Sequence, residues 1–420
     1  VKTERNCSGG VTPWGTIITC EETRTTGDVN GDGYTDTGWH VEIDPATRTV
    51  RQYGNGKSEK LWALGRMSHE NIVLASDRKT AYFGEDSPDG AVYKFVANTT
   101  DNLSAGTLYV LKLSAALSSG EPTTTTGSWV QVPNTTKSDR NNTYSLATNL
   151  GATQFNGVED LEIASNGQVY FTSKGNGRVY RFTDNGSGLS SFQTFVGGQS
   201  YAINYGSGSV SEDWGIGNDN LAFDGDGNLW VLQDGGRGHI WVVRPSHTQT
   251  SPRVELFATT PSGAESTGIT FSPDKKFMFL SIQHPSSTNS SQTDASGTSV
   301  SFNAAATIVI ARKENLGDGS LREEAMDYSS EEANNNVVAV FPSLFENEVK
   351  VRFSLHESAI VNISMLDMTG RVVKALSTQN IEKGDKEVVL DLSDVSQADK
   401  AFVVTVDVNG KKYSSKVFRK

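Results

Sequence analysis

Apolar and polar residues alternate along most of this chain in short runs, and such runs read as β-strands. Four stretches repeat one plan: HENIVLASDRKTAYFGED, VEDLEIASNGQVYFTSKGNGRVYRF, NDNLAFDGDGNLWVLQDGGRGHIWVV and AESTGITFSPDKKFMFLSIQHP. In each, an acid opens a strand, an Asp/Asn/Gly turn follows, and an aromatic-rich strand returns. That recurrence predicts an all-β chain folded as a β-propeller, whose blades set equivalent positions around one channel. No apolar period of a helix persists long enough for a long helix. A further strand over residues 16–19 ends on Cys20, Glu21 and Glu22. Alternation puts Cys20 and Glu22 on one face and Glu21 on the other.

The pattern weakens over residues 97–150, rich in Thr, Ser and Asn, which read as a strand near 108–113 within a surface insertion. Residues 184–215 and 286–301 read as Gly/Ser-rich and Ser/Thr-rich loops, and 304–311 as a last propeller strand. From 313 to 336 the chain turns acidic and polar, the composition of a linker with one helical turn. Strands at regular spacing resume over 337–420 and predict a small β-sandwich, in which the only histidine is His356. Three parts follow: a propeller (1–312), a linker (313–336) and a sandwich (337–420).

Charge and composition narrow the function. The net charge is −12, with no basic patch interleaved with aromatics, which argues against nucleic acid as a partner. No apolar run approaches the roughly 20 residues of a transmembrane segment. Two cysteines do not make a disulfide scaffold, although Cys7 and Cys20 could pair with each other.

The candidate chemistry lies in the repeated acids. Glu70, Glu159, Asp219 and Glu265 stand at the start of the inner strand of successive blades, so they converge on the axis. Converging carboxylates repel unless cations lie among them, and Ca2+ suits such oxygen ligands. A thiolate at Cys20 beside carboxylates suits a transition metal. DVNGDGYTD at 28–36 matches the first part of an EF-hand loop, but Trp39 stands at its twelfth position; an ordinary hairpin turn is the other reading. Arg66 could meet a phosphate or pair with Glu70, and Lys174 lies in a Gly/Asn-rich turn.

CSGGVTPWGTIITCEE, GRMSHEN, DNLAFDGDGNLW and ESTGITFSPDKKFMFLSIQHP resemble the PhoX family of secreted bacterial alkaline phosphatases, over about residues 6–311. The resemblance implies a six-bladed propeller with Fe(III) and Ca2+ at its centre and phosphate esters as substrates. It implies Cys20 as the iron-ligating cysteine, and Glu21, Glu70, Glu159, Asp219 and Glu265 as metal ligands, Glu159 with Cys20 at the reacting centre. Two features depart from the family. Gly157 stands where an arginine helps hold phosphate, leaving Lys174 or Arg66 as substitutes. A segment before the first motif, which contributes a blade and a phosphate-contacting asparagine, has no counterpart in this sequence. VFPS, MLDMTGRVV and NGKKYSSKVFRK resemble the C-terminal sorting domain of type IX secretion in Bacteroidetes, implying that secretion machinery as a partner and a secreted or cell-surface location.

The leading expectation is therefore a secreted, metal-dependent phosphatase acting on phosphate monoesters. Alternatives are a calcium-dependent propeller hydrolase of another ester, such as a lactone, and a non-catalytic surface propeller with structural calcium.

Overall fold

The computed structural model describes residues 2–53, 59–206, 208–234, 236–293, 297–312, 315, 337–341, 344–355, 357–367, 371–395 and 401–419. The expected linker, apart from residue 315, and His356 lie outside them. The chain divides into two compact units, Val1–Gly319 and Ser320–Lys420.

The first unit is a propeller with five blades among the described residues. Blade one pairs β1 (Asn6–Val11), β2 (Ile17–Glu21), β3 (His40–Asp44) and β4 (Thr49–Val50). Blade two is β5 (His69–Leu74), β6 (Thr80–Glu85), β7 (Val92–Thr99) and β8 (Asn102–Leu113), continued by β9 (Gly127–Val132). Blade three is β10 (Leu161–Ile163), β11 (Val169–Ser173), β12 (Arg178–Asp184) and β13 (Gly188–Gly197). A hairpin of β14 (Ser200–Asn204) and β15 (Ser209–Asp213) leads to blade four: β16 (Asn218–Phe223), β17 (Leu229–Gln233), β18 (His239–Val243) and β19 (Val254–Thr259). Blade five is β20 (Glu265–Phe271), β21 (Phe277–Gln283) and β24 (Ala306–Ala311), with a small hairpin of β22 (Gln292–Thr293) and β23 (Ser299–Val300) between the last two. The innermost strands β1, β5, β10, β16 and β20 pack in that order, each against the next.

Local chemistry sets the blade turns. Asp77 accepts from the backbone N–H groups of Lys79 and Thr80, and Asp224 from those of Asp226 and Asn228. In each inner hairpin one residue takes a left-handed backbone: Arg78 (φ 61°), Gly167 (83°), Gly227 (78°) and Lys275 (57°). The strand expected near 108–113 lies within β8, but the rest of 97–150 and the stretch 184–215, both expected as loop, carry further regular structure. Residues 97–150 hold β8, β9 and two short helices, Lys137–Asn141 and Thr143–Asn149; residues 184–215 hold β13, β14 and β15. β8, β9 and β13 meet at the middle of the nine-stranded sheet that joins blades two and three, and β14 and β15 form a hairpin; Ser and Thr at their exposed positions blur the alternation.

The blades are held by apolar layers between them. Ile18, Cys20, Ile72 and Phe83 share one cluster, and Phe155, Phe171, Tyr180 and Phe192 another. Blades two and three are joined further: β9 pairs with both β8 and β13, and Asp184 accepts from Tyr82 Oη, Lys94 Nζ (2.6 Å) and Trp129 Nε1 (3.1 Å). Between blades three and four, Trp214 and Trp241 stack at 4.9 Å, and Trp241 Nε1 donates to Gln233 Oε1 (2.7 Å). Both indoles are fully buried. Trp241→Ala should therefore cost about 3–5 kcal/mol in urea denaturation; a loss under about 1 kcal/mol would mean this layer is not close-packed.

The second unit is a β-sandwich, as its alternation predicts. One sheet orders β25 (Val337–Phe341), β27 (Glu348–Leu355) and β30 (Gly384–Asp391). The other orders β26 (Leu344–Phe345), β32 (Lys411–Arg419), β31 (Ala401–Val408), β28 (Ala359–Asp367) and β29 (Val372–Ile381). Val349, Val351, Phe353, Ile363, Phe402 and Val404 fill its core.

Candidate metal centre

The innermost strands break register where they meet the axis. β1 shifts between Asn6 and Gly9, β5 between His69 and Ile72, and β16 between Asn218 and Leu221. A bulge re-aims the side chains within it. The bulged pairs are Cys7-Ser8, Glu70-Asn71 and Asp219-Asn220, and Glu159-Asp160 stands just ahead of β10. In the last three pairs the second residue ties its blade to the next. Asn71 Oδ1 accepts from Leu161 N (3.0 Å), Asp160 Oδ2 from Leu221 N (2.8 Å), and Asn220 Oδ1 from Gly268 N (2.7 Å). The first residue of each pair is thereby held toward the centre.

A second set comes from the residue that follows the second strand of blades one to four: Glu22 after β2, Asp86 after β6, Lys174 after β11 and Asp234 after β17. Backbone hydrogen bonds link these turns around the rim. Gly157 N donates to Ser87 O (2.8 Å), Lys174 N to Gly157 O (2.9 Å), Gly217 N to Lys174 O (2.9 Å) and Asp234 N to Gly217 O (2.8 Å).

Together with Glu265, which opens β20, the two sets supply three overlapping groups among the described residues: Cys7, Glu22 and Glu70; Glu70, Glu159 and Asp219; Asp219, Asp234 and Glu265. Within each, the potential ligand atoms lie within 4.8 Å of one another. Glu70 and Asp219 each belong to two groups, so the three form a row. Cys7 Sγ donates to Glu70 Oε1 (2.9 Å), while Glu70 Oε2 is buried without a hydrogen-bond partner. Lys174 Nζ lies 3.0 Å from Glu159 Oε1 and 3.5 Å from Asp234 Oδ2.

This crowding disfavours ionisation. Burial raises the Glu70 carboxyl well above its usual range, and the charges of Asp219, Glu22 and Asp86 push the same way. Burial, then Glu70, Asp219 and Asp86, raises Glu159 against the opposing pull of Lys174. Asp219 is lifted to about 7, chiefly by burial, with Lys174 opposing. Burial and Glu70 also hold the Cys7 thiol up. Acids forced together in this way are relieved by cations, and an orphaned buried oxygen marks where one ligand atom is free.

Glu70, Glu159, Asp219, Glu265 and Lys174 are thus brought together. Three other expected residues lie elsewhere. Cys20 belongs to none of the three groups; it is fully buried among Ile18, Leu61 and Ile72 in the layer between blades one and two. Cys7 stands where that thiol was expected, because Asn6–Val11, and not the strand leading to Cys20, is innermost. Both cysteines are free, so no disulfide joins them. Glu21 is fully buried and paired with Lys60 Nζ (2.7 and 2.8 Å), and it accepts from Trp39 N (3.1 Å) and Glu4 N (2.9 Å). Arg66 straps two backbone carbonyls, Thr37 O (2.7 Å) and Thr25 O (2.6 Å).

Gly157 has φ 81°, and a Cβ there would lie 3.1 Å from Asp86 Oδ1 and 3.2 Å from Lys174 Cβ. A larger residue would be strained and would crowd the lysine. In the 28–36 loop, Asp28 accepts from Asp32 N and Gly33 N, Asp32 from Tyr34 N and Asp36 from Val29 N. Its carboxylates are spent on the turn itself.

Sequence reasoning missed Cys7, Glu22, Asp86 and Asp234. The available signal was their common place one residue past the second strand, or, for Cys7, inside the first bulge.

A sequence profile described as alkaline phosphatase PhoX matches residues 2–286. The chain belongs to the PhoX family. It is accordingly a phosphoric ester hydrolase of the alkaline phosphatase type. Among solved structures, PhoX of Pseudomonas fluorescens in complex with vanadate, a transition state analogue, is 24% identical with TM-score 0.56; the match covers 75% of this chain and 70% of that one. At that identity the likeness speaks for the PhoX fold. PorZ, a surface component of the type IX secretion system of Porphyromonas gingivalis, is 12% identical (TM-score 0.33, covering 98% of this chain and 44% of that one). Virginiamycin B lyase from Staphylococcus aureus is 10% identical (TM-score 0.36, covering 98% and 94%). No curated protein matches this PhoX-family chain.

Proposed function

We propose that this chain hydrolyses phosphate monoesters outside the cell, at a row of metal ions held where the innermost strands converge. The observation that carries this reading is the row itself: three acid groups joined through Glu70 and Asp219, with the Cys7 thiol at one end. The donor types fit the metals that the family implies. Sulfur with carboxylates at Cys7, Glu22 and Glu70 suits Fe(III); the all-carboxylate groups suit Ca2+. In this reading Cys7 takes the ligand role expected of Cys20. Glu70, Glu159, Asp219, Asp234 and Glu265 hold the remaining ions.

Such ions, when bound, neutralise phosphate oxygens and lower the pKa of the attacking oxygen. The chain's own residues do the rest. Glu70 and Asp219 fix neighbouring sites at a set spacing. The Lys174 ammonium, held on the rim, is the cation nearest the acids and meets the phosphate. Arg66 is tied to backbone carbonyls and takes no part in phosphate binding.

Export through the type IX machinery, with 337–420 as the sorting domain after a linker over 313–336, completes the proposal. Among the described residues, no helix is long and apolar enough to cross a membrane.

The test is iron and calcium per chain, by elemental analysis of protein purified without added metal, beside turnover of p-nitrophenyl phosphate. Iron with calcium and turnover supports the reading. Calcium alone without turnover overturns it in favour of the structural-calcium propeller. Calcium with hydrolysis of a lactone but not of phosphate esters selects the calcium-hydrolase reading.

A further inference from the structure

Lys174 shares its charge between two of the three groups. Its backbone is clamped on both sides, by Gly157 O and by Gly217 N, so the root of the side chain is fixed on the rim. Its ammonium touches Glu159 of the middle group and Asp234 of the outer group. The side chain is 36% exposed, so it has a way out to solvent.

Calcium needs those same carboxylates. A divalent ion and an ammonium cannot share oxygens about 3 Å away without strong repulsion. We propose that Lys174 is a built-in competitor for calcium at these two groups. Calcium entering the outer group drives the ammonium off Asp234, and the freed ammonium turns to an anionic ligand. This inference rests on the metal-centre reading above. It makes calcium and a phosphate-like anion help each other bind through Lys174, because each relieves the other's competition or repulsion.

The full-length chain, stripped of metal, would be titrated with calcium chloride by calorimetry in phosphate-free buffer. Wild type, Lys174→Met and Lys174→Arg are compared, with circular dichroism melts to show that all are folded. Lys174→Met should bind calcium tighter by about tenfold or more, with the same number of ions, and Lys174→Arg should stay close to wild type. Inorganic phosphate titrated with and without saturating calcium should show a smaller calcium-induced gain in affinity for Lys174→Met than for wild type. Unchanged or weaker calcium binding by Lys174→Met overturns the competition while leaving the metal centre standing. Absence of calcium binding by all three proteins overturns the metal centre, and the competition with it.

Discussion

Cys7→Ser is expected to strip iron from the purified chain and lower phosphatase turnover by about 100-fold or more, with calcium and fold retained. The thiol lies on the innermost strand, inside its bulge, bonded to Glu70. Serine keeps the size but replaces the soft donor. Cys20→Ser should do the reverse. Its hydroxyl would be buried in the apolar layer between blades one and two, at a cost of about 1–3 kcal/mol. Iron and turnover per folded molecule should be unchanged. Elemental analysis, turnover and urea denaturation on both variants separate the roles. Iron lost in Cys20→Ser and kept in Cys7→Ser would return the ligand role to Cys20.

The second large effect is on the pH dependence of calcium stabilisation. Asp219 is raised from 3.8 to about 7 in the folded chain, first by burial. A raised carboxyl contributes stability below its unfolded pKa, and that contribution is lost as pH climbs through the folded value. Glu70 and Glu159 shift the same way and add to it. Calcium supplies the missing positive charge. The difference in melting temperature between calcium-loaded and metal-stripped protein should therefore be small near pH 4.5 and widen steadily through pH 7 and above. An equal difference at pH 5 and pH 8 would show that the ions do not bind these acids.

How far the sequence led depends on what alternation can express. It reports which residues share a face, so the sandwich strand Glu348–Leu355 and the four acid-strand-turn-strand repeats were legible. It does not say which strand of the first blade is innermost, because that blade lacks the repeated plan. Cys7 and Cys20 flank one strand-turn-strand unit, and only the packing of β1 against β5 decides between them. Glu22, Asp86 and Asp234 lie one residue beyond their strands, where period-two reasoning ends. They emerge only when blades are superposed on one another. Arg66 looked like a phosphate clamp beside His69 and Glu70; its partners, Thr25 and Thr37, are supplied by a loop far back in the chain.

The join between blades two and three has a consequence for what supports the middle of the row. β9 lies between β8 and β13 in one continuous sheet, and Asp184 gathers Tyr82, Lys94 and Trp129 across the seam. A half-buried carboxylate with three partners from the neighbouring blade couples the two. The two blades form one nine-stranded sheet, running from β10 through β9 to β5. Glu70 comes from one half of that sheet and Glu159 from the other. The pair at the middle of the row is therefore carried on one continuous sheet, whereas the outer members, Cys7 on one side and Glu265 on the other, come from separate sheets.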